Sequence, residues 1–185
     1  MLSARIGDVL SQTLQDSGTI EFGSGDKEYI RQYPHLLVLA AKLRSRDLYP
    51  LALAVYGWMP TILRTFEPGH IPWGIHNAAD ALEWLAHRPQ AAVNNSWVGT
   101  SKFLHCLHPE IFPIWDRRVA EVLRLPTYHA AVNCPKLYAD YVKSVHAACR
   151  TPSGVAVKEL VSEVCGYPVT QVRAVEFCLF MHPTN

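Results

Sequence analysis

The sequence contains no Cys-x-x-Cys pair, and its five cysteines, at 106, 134, 149, 165 and 178, are odd in number. That argues against a disulfide framework and against a tetracysteine zinc or iron–sulfur site. No apolar run approaches the roughly 20 residues a membrane-spanning helix needs. Residues 1–17 carry acids and amphipathic spacing instead of the apolar centre of a signal peptide. Net charge is nearly absent as well: 17 Lys/Arg against 16 Asp/Glu leaves +1, so no global basic field announces a nucleic-acid partner. There is no Ser-His-Asp order, no P-loop and no dinucleotide fingerprint, and no cofactor is expected. Strand alternation is also missing, with TIEF and EIFPIW the two short stretches that read as extended. These absences imply a soluble cytoplasmic protein with reduced thiols and no membrane partner.

What is present is helical periodicity. Ile6, Val9, Leu10 and Leu14 form one apolar stripe, which Gly18 is placed to end. A second helix is expected from FGSGDKEYIRQ, capped by Ser24 or Asp26, and a third from PHLLVLAAKLRSRD, with Pro34 in its first turn. YPLALAVYGWM and PTILRTF read as one helix broken or kinked at Pro60. HNAADALEWLAHR places Ala79, Leu82 and Leu85 on one face. SKFLHCL, RRVAEVLRL, CPKLYADYVKSVHAACR, SGVAVKELVSEVCG and TQVRAVEFCLFMH follow, separated by Pro, Gly, Ser or Thr. With 49% apolar residues the chain is long enough to bury a core, and it reads as one compact all-α domain over 1–185, of about eight to ten short helices.

Charge is unevenly spread. Residues 102–158 hold eight Lys/Arg and four acids, a balance of +4, while the remainder holds nine against twelve, or −3. Overlapping the start of the basic part lies GTSKFLHCLHPEIFPIWDRRV, residues 99–119. Thr100 or Ser101 is expected to cap a helix, placing Lys102 in a first turn where the helix dipole disfavours its charge. Cys106 shares a face with Lys102 at i, i+4. Pro109 stops the helix, Pro113 holds an extended return, and Asp116 caps the next helix. An amine nucleophile beside a carboxylate suits attack on an electrophilic sugar carbon.

This stretch resembles the core signature of the helix-hairpin-helix DNA glycosylase superfamily, in its 8-oxoguanine glycosylase branch. VGTSKFLHC followed by FPIWDRRV carries the likeness, and RAVEF near the C-terminus carries a second, weaker one. The resemblance implies Lys102 as a Schiff-base nucleophile and Asp116 as the catalytic carboxylate. It implies a base pocket lined by Cys106, Arg173 and Phe177, and phosphate contacts from Gly99, Arg117 and Arg118. The implied partner is DNA or a modified nucleobase or nucleotide. Stand-alone proteins of this kind also resemble components of bacterial antiphage operons, which implies a possible protein partner in such a system. Two further readings stay open: a catalytically silent nucleobase-binding module of the same fold, and a helical protein-interaction domain whose motif is only capping chemistry.

Other combinations are weaker. His105, Cys106, His108, His129 and Cys134 lack the spacing of a zinc ligand set, so no metal is expected. Arg124 and His129 fit an Arg-x4-His ribonuclease pattern, but Pro126 between them opposes the helix it requires. Asp80 and Glu83 read as a solvated face.

Overall fold

A computed structural model describes residues 1–16, 24–43, 48–58, 63–88 and 90–183. Those residues form ten α-helices and one 3-10 turn, with no strand beyond a single isolated bridge, so the chain is all-α. In order they are α1 (Leu2–Gln15), α2 (Ser24–Leu43), α3 (Tyr49–Trp58), α4 (Ala78–Ala86), α5 (Trp97–Leu107), α6 (Arg117–Val122), α7 (His129–Val132), α8 (Pro135–Ala148), α9 (Pro152–Cys165) and α10 (Gln171–Met181), with the 3-10 turn at Pro68–His70. No helix among the described residues is long and apolar enough to cross a membrane.

The first apolar stripe is borne out: Ile6, Val9 and Leu10 are buried and Leu14 packs beside them. Gly18 and the TIEF segment lie outside the described residues. The two helices expected from 24 to 43 are one. Helix α2 starts at Ser24, carries Asp26 in its first turn and runs through Pro34. A proline inside a helix leaves the carbonyl four residues earlier without its amide donor. That carbonyl belongs to Ile30, and the Tyr167 hydroxyl donates to it at 2.9 Å. The neighbouring Tyr29 carbonyl accepts from Trp58 Nε1 at 3.2 Å. Donors from elsewhere in the chain thus let α2 continue where local rules end it.

The helix expected over PTILRTF does not form across its described part. Pro60 lies outside the described residues, and Leu63–Phe66 is irregular, Phe66 pairing with Val93 in the isolated bridge. Asn94 Oδ1 accepts the Arg64 and Thr65 amides at 2.8 and 2.9 Å. In α4, capped by Asn77, Ala81 and Leu85 are the fully buried residues, while Ala79 faces out. EIFPIW is not a strand: Glu110 is exposed, and residues 111–115 form a buried strap without a strand partner.

Two clusters make the core. The larger draws on α1, α4, α6, α8, α9 and α10, the smaller on α2 and α3. Helix α5 joins them: Trp97 and Leu104 enter the larger, Phe103, Cys106 and Leu107 the smaller. Every α5 residue but Val98 and Lys102 is buried. Lys102 is also the one lysine, arginine or acid on that helix.

Candidate functional site

The cap of α5 is Ser96, whose hydroxyl accepts the Gly99 amide, and not Thr100 or Ser101. The helix begins a turn earlier than expected, after Asn94 and Asn95, which sit at φ 50° and 48° in the left-handed region that asparagine tolerates. Lys102 is therefore in the second turn, beyond the reach of the dipole. Its ammonium is still disfavoured, but by burial, which lowers its pKa while the charges of Asp116 and Glu176 pull the other way.

Asp116 does cap α6, its carboxylate accepting the Val119 amide at 3.1 Å. The strap that delivers it has no ladder, so side chains must satisfy its backbone. The Pro109 carbonyl accepts from Thr170 Oγ1 at 2.9 Å and that of Ile111 from His146 Nε2 at 2.7 Å. Phe112 is held by His105 Nδ1 at 2.6 Å, and Pro113 and Ile114 by the Tyr138 and Tyr141 hydroxyls, both at 3.2 Å. Ser101 Oγ accepts the Trp115 amide at 3.0 Å. Buried irregular backbone held at each step fixes Asp116 against α5.

Helix α10 supplies the residue that sequence reasoning missed. Glu176 lies inside RAVEF, is 1% exposed and is ion-paired with Arg173, itself 2% exposed. Burial lifts the Glu176 carboxyl to about 7 against the pull of Arg173, with Asp116 raising it further and Lys102 lowering it. Lys102, Asp116 and Glu176 thus share one electrostatic neighbourhood. The signal in the sequence was a lone acid in the apolar run VEFCLF. The Arg173 guanidinium lies 4.7 Å from the Tyr33 ring, 5.3 Å from that of Phe177 and 5.9 Å from that of Tyr29, within cation–π range. Its Nη2 is buried with no hydrogen-bond partner among the described residues.

The remaining expected residues divide. Cys106 and Phe177 are 2% and 1% exposed and belong to different core clusters, so neither borders an open pocket. Burial pushes the Cys106 thiol up to about 12, which keeps it protonated. Gly99 lies within α5, not in a hairpin turn, and its amide is spent on the Ser96 cap. Its reason for being glycine is packing: a Cβ there would meet the Tyr56 hydroxyl at 2.1 Å. Arg117 is exposed, and Arg118 is half-buried with its guanidinium 5.0 Å from the Phe180 ring centre. The aromatic of α10 that is half-open on this side is Phe180, a turn beyond Glu176.

His105 shows how far the neighbourhood is fixed. The Phe112 carbonyl can only accept, so His105 Nδ1 carries the proton, and Nε2 accepts from the Tyr33 hydroxyl at 2.6 Å. Burial, with Arg173 nearby, pushes this imidazole down to about 3, so it stays neutral. Among the described residues no group of three His, Cys, Asp or Glu is placed to hold a metal ion. Arg124 sits in a turn at φ 55° and α7 starts at His129, so the Arg-x4-His pair does not share a helix. Comparison of the chain with protein-family models, with curated proteins and with solved structures finds no match in any of the three.

Proposed function

We propose that the protein is a divergent, lysine-dependent DNA glycosylase of the 8-oxoguanine glycosylase type, acting in the cytoplasm. The observation that carries the reading is Lys102: a desolvated amine on an otherwise buried helix, in the field of Asp116, whose approach is fixed by the strap. All five cysteines are free thiols, which suits a reducing compartment.

In this reaction the neutral Lys102 amine attacks C1′ of a deoxynucleotide turned out of its stack. The C1′–N bond to Lys102 forms as the bond to the base breaks, and the base leaves with the electron pair and takes up a proton. Asp116 stabilises the positive charge that develops on the sugar ring. The substituted amine then loses a proton and the C1′–O4′ bond opens, O4′ taking up a proton, to leave an imine between Lys102 and the sugar. Removal of a C2′ proton expels the 3′ phosphate, which is the lyase step. Glu176 is the second acid near the amine, and Arg173 holds it in place.

Borohydride reduces that imine to a stable amine. Incubation with duplexes carrying 8-oxoguanine or an abasic site, followed by borohydride, gives a covalent adduct in the wild type and none in Lys102→Gln. Absence of any adduct or strand cleavage with folded protein sinks the enzyme. The second reading is a silent nucleobase-binding module of the same fold, with a protein partner in a phage-defence system. A net charge of +1 favours it, because phosphate-driven DNA affinity rests on basic groups.

A further inference from the structure

We propose that the groove between α4 and the loop 69–75 docks a segment of a partner protein that carries an arginine, seated between Trp73 and the carboxylates of Asp80 and Glu83. The proposal goes beyond the reading above and stands without the chemistry at Lys102.

Trp73 is 56% exposed, and its neighbours hold it out. Ile71 and Ile75 are 4% and 7% exposed and enter different core clusters, Ile71 the smaller and Ile75 the larger. Pro72 is buried as well. Gly74, at φ 80°, supplies the left-handed turn that returns the chain from the crest to Ile75. The loop is anchored on both sides of Trp73, so the indole is presented at a fixed place on the surface.

The facing wall is one side of α4. Asp80, Glu83, Trp84 and His87 follow at i, i+3, i+4 and i+7, and all four line the groove. The other side of the helix buries Ala81 and Leu85 in the core. Trp84 is half-buried and meets Trp97 and Phe112 nearly at right angles, at 6.2 and 6.1 Å between ring centres, so packing fixes its ring. The groove encloses about 580 Å³, the size of a ligand site and more than one side chain fills.

Charge selects the occupant. Asp80 Oδ2 accepts the His76 amide at 3.0 Å, which fixes that carboxylate where the loop meets the helix. Glu83 is exposed and has no hydrogen bond or ion pair among the described residues. Two acids beside two indoles suit a cation, through its charge and through the negative ring faces. A guanidinium fits better than an ammonium, because its plane stacks on an indole while its edge meets carboxylate oxygens in pairs. The same acids repel phosphate, which separates this groove from a nucleic-acid surface. Asp80 lies in the first turn of α4 and Arg88 two residues beyond its last, so the groove is acidic at one end and basic at the other. That polarity, with the volume, matches a stretch of chain bearing an arginine and an acid better than a lone cation.

The test titrates nitrogen-15-labelled protein and follows the indole N–H signals of Trp73 and Trp84. The probes are N-acetylarginine amide and alanine heptapeptides with one arginine and one glutamate four residues apart, in either order. Citrulline, neutral and nearly the same shape, replaces arginine in the controls. A heptapeptide of at least one order is expected to shift both signals saturably and to bind more tightly than N-acetylarginine amide, and its citrulline control to bind more weakly. Read on Trp84, Trp73→Ala is expected to weaken binding roughly 2- to 30-fold, the loss of one cation–π contact. Glu83→Gln is expected to weaken it roughly 2- to 5-fold, the loss of an exposed charge pair. Both side chains are exposed, and thermal unfolding checks that the fold is kept. Borohydride trapping by both variants is expected to equal that of the wild type, so this proposal and the glycosylase stand or fall separately. The proposal is overturned if no probe shifts the signals, or if the citrulline controls bind equally well. It is also overturned if N-acetylarginine amide binds as tightly as the heptapeptides, which makes the groove a small-cation site. Loss of trapping in folded Trp73→Ala overturns it as well, because the groove then belongs to the substrate site.

Discussion

Ser101 grips Trp115 by its backbone: its hydroxyl oxygen accepts the Trp115 amide at 3.0 Å and lies 3.2 Å from the Trp115 carbonyl. The residue beside Lys102 thus holds the residue beside Asp116. The same hydroxyl lies 2.9 Å from the Val98 carbonyl, so its single proton has two acceptors within reach. Ser101→Ala leaves a buried amide without a partner, at a cost of about 1–3 kcal/mol. Chemical denaturation measures that loss. The same variant is expected to reduce borohydride trapping more than other variants of equal stability, because it loosens Asp116 specifically.

Pro34 and Tyr167 depend on each other. Tyr167→Phe removes the donor to the Ile30 carbonyl that Pro34 leaves open, and is expected to destabilise the protein by about 1–3 kcal/mol. With Pro34→Ala in the background an amide returns to that position, and the cost of Tyr167→Phe falls. A double-mutant cycle by urea denaturation gives the coupling. Equal costs in both backgrounds reject the pairing.

These two cases mark what the sequence disclosed. Helices α8, α9 and α10 were legible because end signals and apolar spacing agree with their tertiary role, as with Pro135 opening α8, Gly166 closing α9 and Thr170 capping α10. Asp116 as a cap was legible for the same reason. The continuity of α2 was not, because the donor for Ile30 lies 137 residues away. The start of α5 was placed a turn late because Thr100 and Ser101 look like caps. Both are buried, and each hydroxyl serves a distant amide, Val93 for Thr100 and Trp115 for Ser101. The direction of the Lys102 shift was legible; of its two expected causes the helix dipole drops out because α5 starts a turn earlier than Thr100 and Ser101 suggest, and burial remains. Arg173 and Phe177 sit at a sensible spacing, but helical spacing does not tell which side of α10 is covered.

Gly99 offers a test that separates packing from phosphate binding. Gly99→Ala sets a Cβ 2.1 Å from the Tyr56 hydroxyl and 3.3 Å from its ring carbon. Overpacking of this kind costs about 1–3 kcal/mol. Tyr56→Phe removes the closer atom, so the double variant is expected to regain most of the lost melting temperature. A Gly99→Ala protein of unchanged stability with weakened DNA binding supports the phosphate role instead.

His105 sets a pH dependence of stability. Its folded value is about 3 against an ordinary 6.5, so the unfolded chain takes up a proton that the folded chain refuses. The stability it contributes is present above pH 6.5 and is lost as pH falls toward 3, by up to about 1.4 kcal/mol per pH unit. Glu176 acts in the opposite sense. Its value is raised from 4.5 to about 7, so its contribution is present below 4.5 and is lost as pH rises to 7. His105→Gln can keep one bond to Phe112 and one to Tyr33 without titrating. Denaturant midpoints measured between pH 4 and 7 are therefore expected to fall less steeply on acidification in this variant than in the wild type.

Lys102 is itself expected to cost stability. Its amine lies against buried surface that a thioether would fill without the loss of hydration. Lys102→Met should therefore raise stability by about 0.5–2 kcal/mol, the gain expected when a residue held for function is replaced. The same change should abolish trapping, which couples the gain to the loss. Trapping by the wild type should increase with pH as the amine loses its proton, with a midpoint below the ordinary lysine value because burial disfavours the ammonium. A rate that is flat with pH, together with a Lys102→Met protein less stable than the wild type, contradicts a desolvated nucleophile at this position. In that case the lysine is only a charged neighbour of Asp116, and the strap holds a helix cap and not a catalytic pair.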